Sequence, residues 1–310
     1  MSDPRELYSV EEDLAAELQA RVGDGSGPVL VHLVRGFIDA GGAAELLGEH
    51  LVDHFETRRL ATFDIDQLLD YRARRPMMTF DVSHWRDYDE PQLVVDLVED
   101  AEGTRFLLMH GLEPDVQWER FASAVRQIVE RFSVSLTVGV NGIPMGVPHT
   151  RPLGVTTHGT RSELVGTPGW FGTVQVPASI GSLLEYRLGR WGHDAVGVAV
   201  HVPHYLAQAG YPPAAMVALE HVEQVTGLAL DAGALEPAAR EAIGAVELQV
   251  TGSDEVAAVV RALEEQYDTF ARTLGRTSLL ADSTDLPTAD EIGAEFERFL
   301  AQQQGPDAGT

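Results

Sequence analysis

Four short apolar runs decide most of what this chain can become. Val29 to Val34 (VLVHLV), Arg105 to His110 (RFLLMH), Val134 to Val140 (VSLTVGV) and Ala195 to Val202 (AVGVAVHV) are rich in large or branched apolar side chains. Runs of this length and composition form strands buried on both faces. Helix patterns lie between them. Leu46, Leu47, Leu51 and Phe55 follow the first run, and Trp118, Phe121, Val125, Ile128 and Phe132 follow the second, with Asp115 placed to cap. Leu183, Leu184, Leu188 and Trp191 lie between Pro177 and Gly192, and Met216, Leu219 and Val222 follow Pro212 and Pro213. Strands that alternate with helices predict a mainly parallel sheet, because right-handed crossovers lay helices on both of its faces. The expected fold is therefore α/β, a three-layer sandwich around a mainly parallel, mixed central sheet. Residues 57–100 and 150–176 read as extra strands and long loops, some of them antiparallel.

The 310 residues divide into an N-terminal helix (1–27), an α/β core domain (28–275) and a closing segment (276–310). Leu7, Leu14, Leu18 and Val22 give residues 5–22 one apolar face, and Ser9 with Glu12 has capping-box spacing. Asp254 to Thr273 repeats Val256, Val259, Leu263, Tyr267 and Phe270 at three- and four-residue steps, an interhelical seam continuing to Leu274. The closing segment holds a polar linker from Arg276 to Pro287, a helix that Thr288 and Glu291 cap, and a disordered tail, QQQGPDAGT.

Composition matters mainly for what it excludes. There is no cysteine, so disulfides, thiolate nucleophiles and cysteine-bound metals are impossible. All 22 positive residues are arginine. Without lysine there is no Schiff base to a pyridoxal cofactor and no P-loop lysine, and no cofactor is expected. A formal charge of −26 repels phosphate backbones and anionic lipid, so neither nucleic acid nor membrane is an expected partner. With no signal peptide and no spanning segment, the expected location is cytoplasmic. The charge is uneven: residues 134–205 hold Glu163, Glu185 and Asp194 against Arg151, Arg161, Arg187 and Arg190, a net of +1 that leaves −27 elsewhere. A neutral, glycine- and histidine-rich centre between acidic flanks suits a core, a site or a subunit contact.

Open parallel sheets bind ligands beyond the carboxyl ends of their strands. The residues expected there are Arg35, Gly36 and Asp39 after the first strand, His110 and Glu113 after the second, Asn141 after the third, and His201, His204 and Tyr205 after the fourth. His149, Thr150 and Arg151 reach the same rim from NGIPMGVPHT, residues 141–150, whose two prolines stiffen the backbone. That stretch reads as a rigid loop forming one wall of a recess. GFIDAGGAAELL matches neither the dinucleotide fingerprint nor the P-loop and reads as a tight turn packed against a helix. His201-Val-Pro-His204 is no metal site, since Pro203 prevents the helix that would align the imidazoles and no third ligand can be named. No metal is expected. GxSxG is absent, which leaves Ser179 and Ser182 as capping residues.

VHLVRGFIDAGGAAELLGEHL, LTVGVNGIPMGVPHTRPLGVTTHGT and HVPHYLAQAGYPPAAMVALEHV together resemble the actinobacterial branch of the proteasome assembly chaperone type 2 family, over roughly residues 28–275. The resemblance implies a fold like that of purine nucleoside phosphorylases and related hydrolases, and core proteasome subunits as partners. Family chaperones dock through a C-terminal hydrophobic-tyrosine-any tripeptide; this chain ends Ala308-Gly309-Thr310, which argues against that route. The resemblance carries no catalytic residue across. Two functions follow: a non-catalytic, self-associating assembly protein, which is favoured, or a small-molecule enzyme or binder of a nucleoside-like or other polar ligand. In the second, Asn141 and Arg151 would orient the ligand, and His110, His201 or His204 would serve as acid or base.

Overall fold

The structure is a computed structural model that describes residues 3–21, 27–165 and 173–273. The linker, the helix capped by Thr288 and the tail expected after residue 275 lie outside the described residues.

All four apolar runs are strands, and they are parallel to one another. They are β2 (Val29–Arg35), β7 (Arg105–Leu112), β8 (Leu136–Met145) and β10 (Ala195–Pro203). They sit side by side at the centre of an eight-stranded sheet of order β1, β3, β6, β7, β2, β8, β10, β9. The outer strands are antiparallel: β1 (Tyr8–Val10), β3 (Thr57–Phe63) and β6 (Leu93–Glu99) extend one side, and β9 (Val155–Gly159) closes the other. This is the mixed sheet expected, with extra strands in both uncertain regions.

Side chains alternate between the faces of a strand, and each face builds its own core. Val31, Leu33, Leu108, Val138, Val198, Val200 and Val202 pack under α2 (Ala43–His54) and α5 (Pro212–Thr226). Leu30, Leu107, Met109, Leu93 and Val95 pack under α1 (Glu12–Arg21), α3 (Trp118–Arg131) and α4 (Ile180–Arg190). The result is three layers. Two further helices, α6 (Leu235–Thr251) and α7 (Asp254–Thr273), continue outward from α5, with Leu235, Ala239, Val260 and Leu263 buried.

Some local expectations are corrected. Among the described residues, 5–21 are not one helix. Pro4–Leu7 makes a 3-10 turn capped by Asp3, Tyr8–Val10 is β1, and only Glu12 onward is helical. Ser9 cannot cap because it lies opposite Thr62 in the β1–β3 ladder. Asp115 does not cap α3; Gln117 occupies that position with φ 60, and Asp115 instead accepts from the Asp70 amide at 2.8 Å. The stretch 141–150 is half strand: β8 runs through Met145, with Pro144 opposite Val202. β8 pairs with β2 only as far as Gly139, so the missing proline N–H leaves no ladder bond broken on that side.

A separate two-stranded hairpin, β4 (Met78–Asp81) and β5 (His84–Tyr88), stands off the main sheet with most of its residues exposed.

Candidate functional site at the strand ends

The carboxyl ends of the four parallel strands do gather at one edge. The sheet nevertheless divides the candidate side chains. His110 continues the Leu108 face toward α2, whereas Asn141 and His201 lie on the face of α3 and α4. The candidates form small groups, each engaged by the protein itself, rather than one constellation around an open crevice.

Asp39 serves the turn before α2. Its carboxylate accepts from the amides of Ala44 at 3.0 Å, Glu45 at 3.1 Å and Gly142 at 2.9 Å. It thus caps α2 and ties it to β8. Burial raises its pKa, although the three amides oppose that shift. The turn needs glycine: Gly41 and Gly42 have φ of 68 and 60, and a side chain on Gly142 would come within 2.0 Å of the Ala40 carbonyl oxygen. Arg35 lies outside this group in an exposed pair with Glu45 at 2.7 Å.

Glu113 clamps two elements that are distant in sequence. One carboxylate oxygen accepts from the Phe37 amide at 3.0 Å, the other from the Ile180 amide at 2.6 Å, the first residue of α4. The carboxylate is buried and lies where a side chain on Gly36 would be, 2.2 Å from that Cβ position. Gly36 is therefore a packing requirement. Ser179 and Ser182 complete the α4 terminus as a reciprocal capping box, as their positions predicted.

His110 meets a carboxylate that the sequence did not reveal. Its Nε2 is 2.8 Å from Asp96, which also accepts from Arg59 at 2.6 Å. Burial alone would push Asp96 upward, but the bonds from His110 and Arg59 outweigh it and hold the carboxyl below its usual range.

The remaining candidates surround the loop from β8 to β9. The Tyr205 hydroxyl accepts from the His149 amide at 2.8 Å and lies 2.7 Å from His149 Nδ1, while His204 stacks edge-on against the Tyr205 ring. Burial lowers the pKa of both histidines and raises that of Tyr205. Arg151 gives a two-pronged contact to Asp268 at 2.9 and 2.8 Å and reaches Glu264 at 3.3 Å, and Thr150 donates to the same Glu264. Helix α7 therefore straps this loop down. His201 bonds Thr156 at 2.8 Å, and burial pushes it down to about 4. Asn141 is the least committed, its amide reaching the neighbouring Gly142 carbonyl at 3.5 Å.

His32 escaped sequence reasoning. It lies inside β2, its Nδ1 buried without a hydrogen bond and its pKa pushed by burial down to about 4. Gly139 leaves it room, since a Cβ there would be 2.4 Å from the ring. A lone polar letter inside VLVHLV was the available signal. Among the described residues, no group of three or more histidines and carboxylates is placed to hold a metal ion, and no helix is long and apolar enough to cross a membrane. An open recess of about 660 Å³ lies elsewhere, lined by Tyr8, Gln127 and Arg131 among others.

Fold and rim together define a three-layer α/β protein whose strand-end polar groups join loops to helices. The chain belongs to the PAC2 family, whose pattern matches residues 33–250. It is similar to a Mycobacterium tuberculosis protein of unknown function, at 45% identity over 96% of each chain with TM-score 0.82. It is also similar to a Corynebacterium glutamicum protein of unknown function, at 35% identity over 86% of this chain and 99% of that one with TM-score 0.80. A Mycobacterium tuberculosis proteasome-assembly chaperone homologue shares the fold at 22% identity, over 75% of this chain and 99% of that one, with TM-score 0.67. No protein in the curated comparison matches.

Proposed function

We propose that this protein is a non-catalytic assembly or interaction protein of the cytoplasm that associates with copies of itself, with core proteasome subunits as candidate clients. Family membership gives the direction, and a structural neighbour is described as a proteasome-assembly chaperone homologue. The observation that carries the reading is the use of the rim. Asp39, Glu113 and Arg151, the charged groups best suited to hold a substrate, are bonded to backbone amides or to carboxylates of the same chain. A ligand would have to replace those bonds. The charge of −26 disfavours nucleic acid and anionic membrane as alternative partners.

Sedimentation velocity of the full chain, alone and with purified core proteasome subunits, tests this. Self-association, with or without a mixed complex, is the expected result; a chain that stays monomeric at every concentration overturns the reading, and the absence of a mixed complex removes the proteasome subunits as clients.

A small polar ligand over Asn141 is the second reading, favoured by the long 3.5 Å contact of that half-buried amide. A thermal-shift screen with nucleosides, sugars and phosphates, using Asn141→Ala and His201→Ala as controls, tests it. No rise in melting temperature, or equal rises in the controls, counts against it.

A further inference from the structure

We infer that the open edge of β1 is a docking site for the C-terminal end of a partner polypeptide, which adds to the sheet as an extra antiparallel strand. The surface lies away from the strand-end rim, and the inference does not depend on self-association. β1 stands first in the sheet order and pairs with β3 on one side. The Asp64 amide donates to the Leu7 carbonyl, the Glu11 amide donates to the Leu60 carbonyl, and Ser9 lies opposite Thr62. Residues 7, 9 and 11 therefore turn their main chain toward β3, and Tyr8 and Val10 turn theirs outward. The N–H and C=O groups of Tyr8 and Val10 have no partner among the described residues. An edge with unpaired groups of this kind is a template for an extended peptide. Two residues of an antiparallel partner, spaced two apart, would pair with all of these groups.

What the edge borders selects the occupant. Residues 3–12 run alongside α3 in the direction of the helix: Arg120 bonds the Asp3 carbonyl and Glu6, the Tyr8 hydroxyl donates to Gln127 at 3.3 Å, and Arg131 pairs with Glu12 at 2.5 Å. The recess of about 660 Å³ lies here, lined by Tyr8 and Val10 of the edge strand and by Gln127, Glu130 and Arg131 of α3. Arg5 and Glu12 also line it, from opposite ends of β1. That volume suits a small ligand or the last few residues of a chain.

The two ends differ in charge. Arg5 is exposed and has no carboxylate partner among the described residues. At the other end Glu12 neutralises Arg131, while Glu130 is held only at 3.6 Å by Arg126 and by His193, beyond hydrogen-bond distance. Burial raises the pKa of the Tyr8 phenol and both Arg131 and Arg5 pull it down, so both guanidinium groups act across the recess. An antiparallel strand on β1 brings its C-terminus beside Arg5 and its earlier residues toward Glu130. A free carboxylate at the first end and a positive group at the second match this polarity, and Val10 with the Tyr8 ring gives apolar contact between them.

Isothermal titration of the full chain with the peptide Arg-Val-Thr-Val tests this. The controls are the same peptide amidated at its C-terminus, and an acetylated Ala-Val-Thr-Val that lacks positive charge. Amidation should weaken binding roughly 10-fold, because it removes a charge-assisted contact with Arg5. In Arg5→Gln the parent and amidated peptides should bind alike, and Glu130→Gln should weaken the parent peptide while leaving the acetylated one unchanged. Both substituted residues are exposed, and circular dichroism confirms that the variants fold. Bound peptide should slow hydrogen exchange at the Tyr8 and Val10 amides and leave the Ser9 amide, which already faces β3, as it was. The inference is overturned by no binding at millimolar peptide, by equal binding of the amidated peptide to the wild-type chain, or by unchanged exchange at Tyr8 and Val10. Slower exchange that follows the protein's own concentration and needs no peptide gives the edge to a second copy and overturns it too. A chain that stays monomeric yet binds the peptide leaves this inference standing while self-association falls.

Discussion

Replacing Glu113 tests whether the strand-end carboxylates hold the fold. Its two oxygens accept from the Phe37 and Ile180 amides at 3.0 and 2.6 Å, and the side chain is buried. Hydrogen bonds to a charged group are worth roughly 1.5–3 kcal/mol each. Glu113→Gln keeps the shape and one accepting oxygen but turns its NH₂ toward the other amide, so it should cost about 1.5–3 kcal/mol. Glu113→Ala orphans both amides and opens a cavity, and should cost roughly 3–5 kcal/mol, since relief of carboxylate burial offsets part of the loss. At roughly 1.5–2 °C per kcal/mol for a chain of 310 residues, the alanine variant should melt roughly 5–10 °C below wild type. Chemical denaturation followed by far-ultraviolet circular dichroism measures both. A glutamine variant within about 0.5 kcal/mol of wild type would refute the clamp, as would an alanine variant no worse than glutamine.

Tyr205→Phe removes the oxygen that accepts from the His149 amide and should cost about 1–3 kcal/mol in the same assay; an unchanged midpoint would deny the tether. His32 and His201 are held neutral near pKa 4 in the fold and return to about 6.5 when unfolded. Unfolding therefore takes up protons in acid, so their contribution is whole above about pH 6.5 and is lost as pH falls toward about 4, by up to roughly 3 kcal/mol each. Unfolding free energies at about pH 7 and about pH 4.5 measure this, and His201→Asn should remove part of the loss. An equally steep profile in that variant contradicts the assignment. Arg151→Gln should release the loop from α7 with little change in global stability, because the pair is solvent-screened, and should speed proteolysis between β8 and β9; unchanged cleavage would contradict the strap.

The central sheet was legible because each parallel strand is a near-continuous apolar run, a pattern that depends only on burial on both faces. β1 was not: three residues, Tyr8–Val10, sit within a helix-compatible pattern, and only pairing with β3, more than fifty residues away, makes them a strand. α6 went unread because Pro237 and Gly244 interrupt its pattern, although proline is tolerated in a first turn. At the rim, several of the candidate residues lie near the carboxyl ends of the parallel strands and hold neighbouring elements in place. Their roles were hidden because the partners are backbone amides or distant acids. Nothing near Glu113 in sequence points to Ile180, sixty-seven residues on, and Arg151 meets Asp268 across 117 residues. Periodicity reports burial, and it is silent on which distant group a buried carboxylate will bind.

Sedimentation equilibrium of the full-length chain across a broad concentration range tests the central claim most directly. A protein that works through association should show a mass that is a whole multiple of the single chain, falling toward one chain on dilution. A single-chain mass at every concentration would contradict the account.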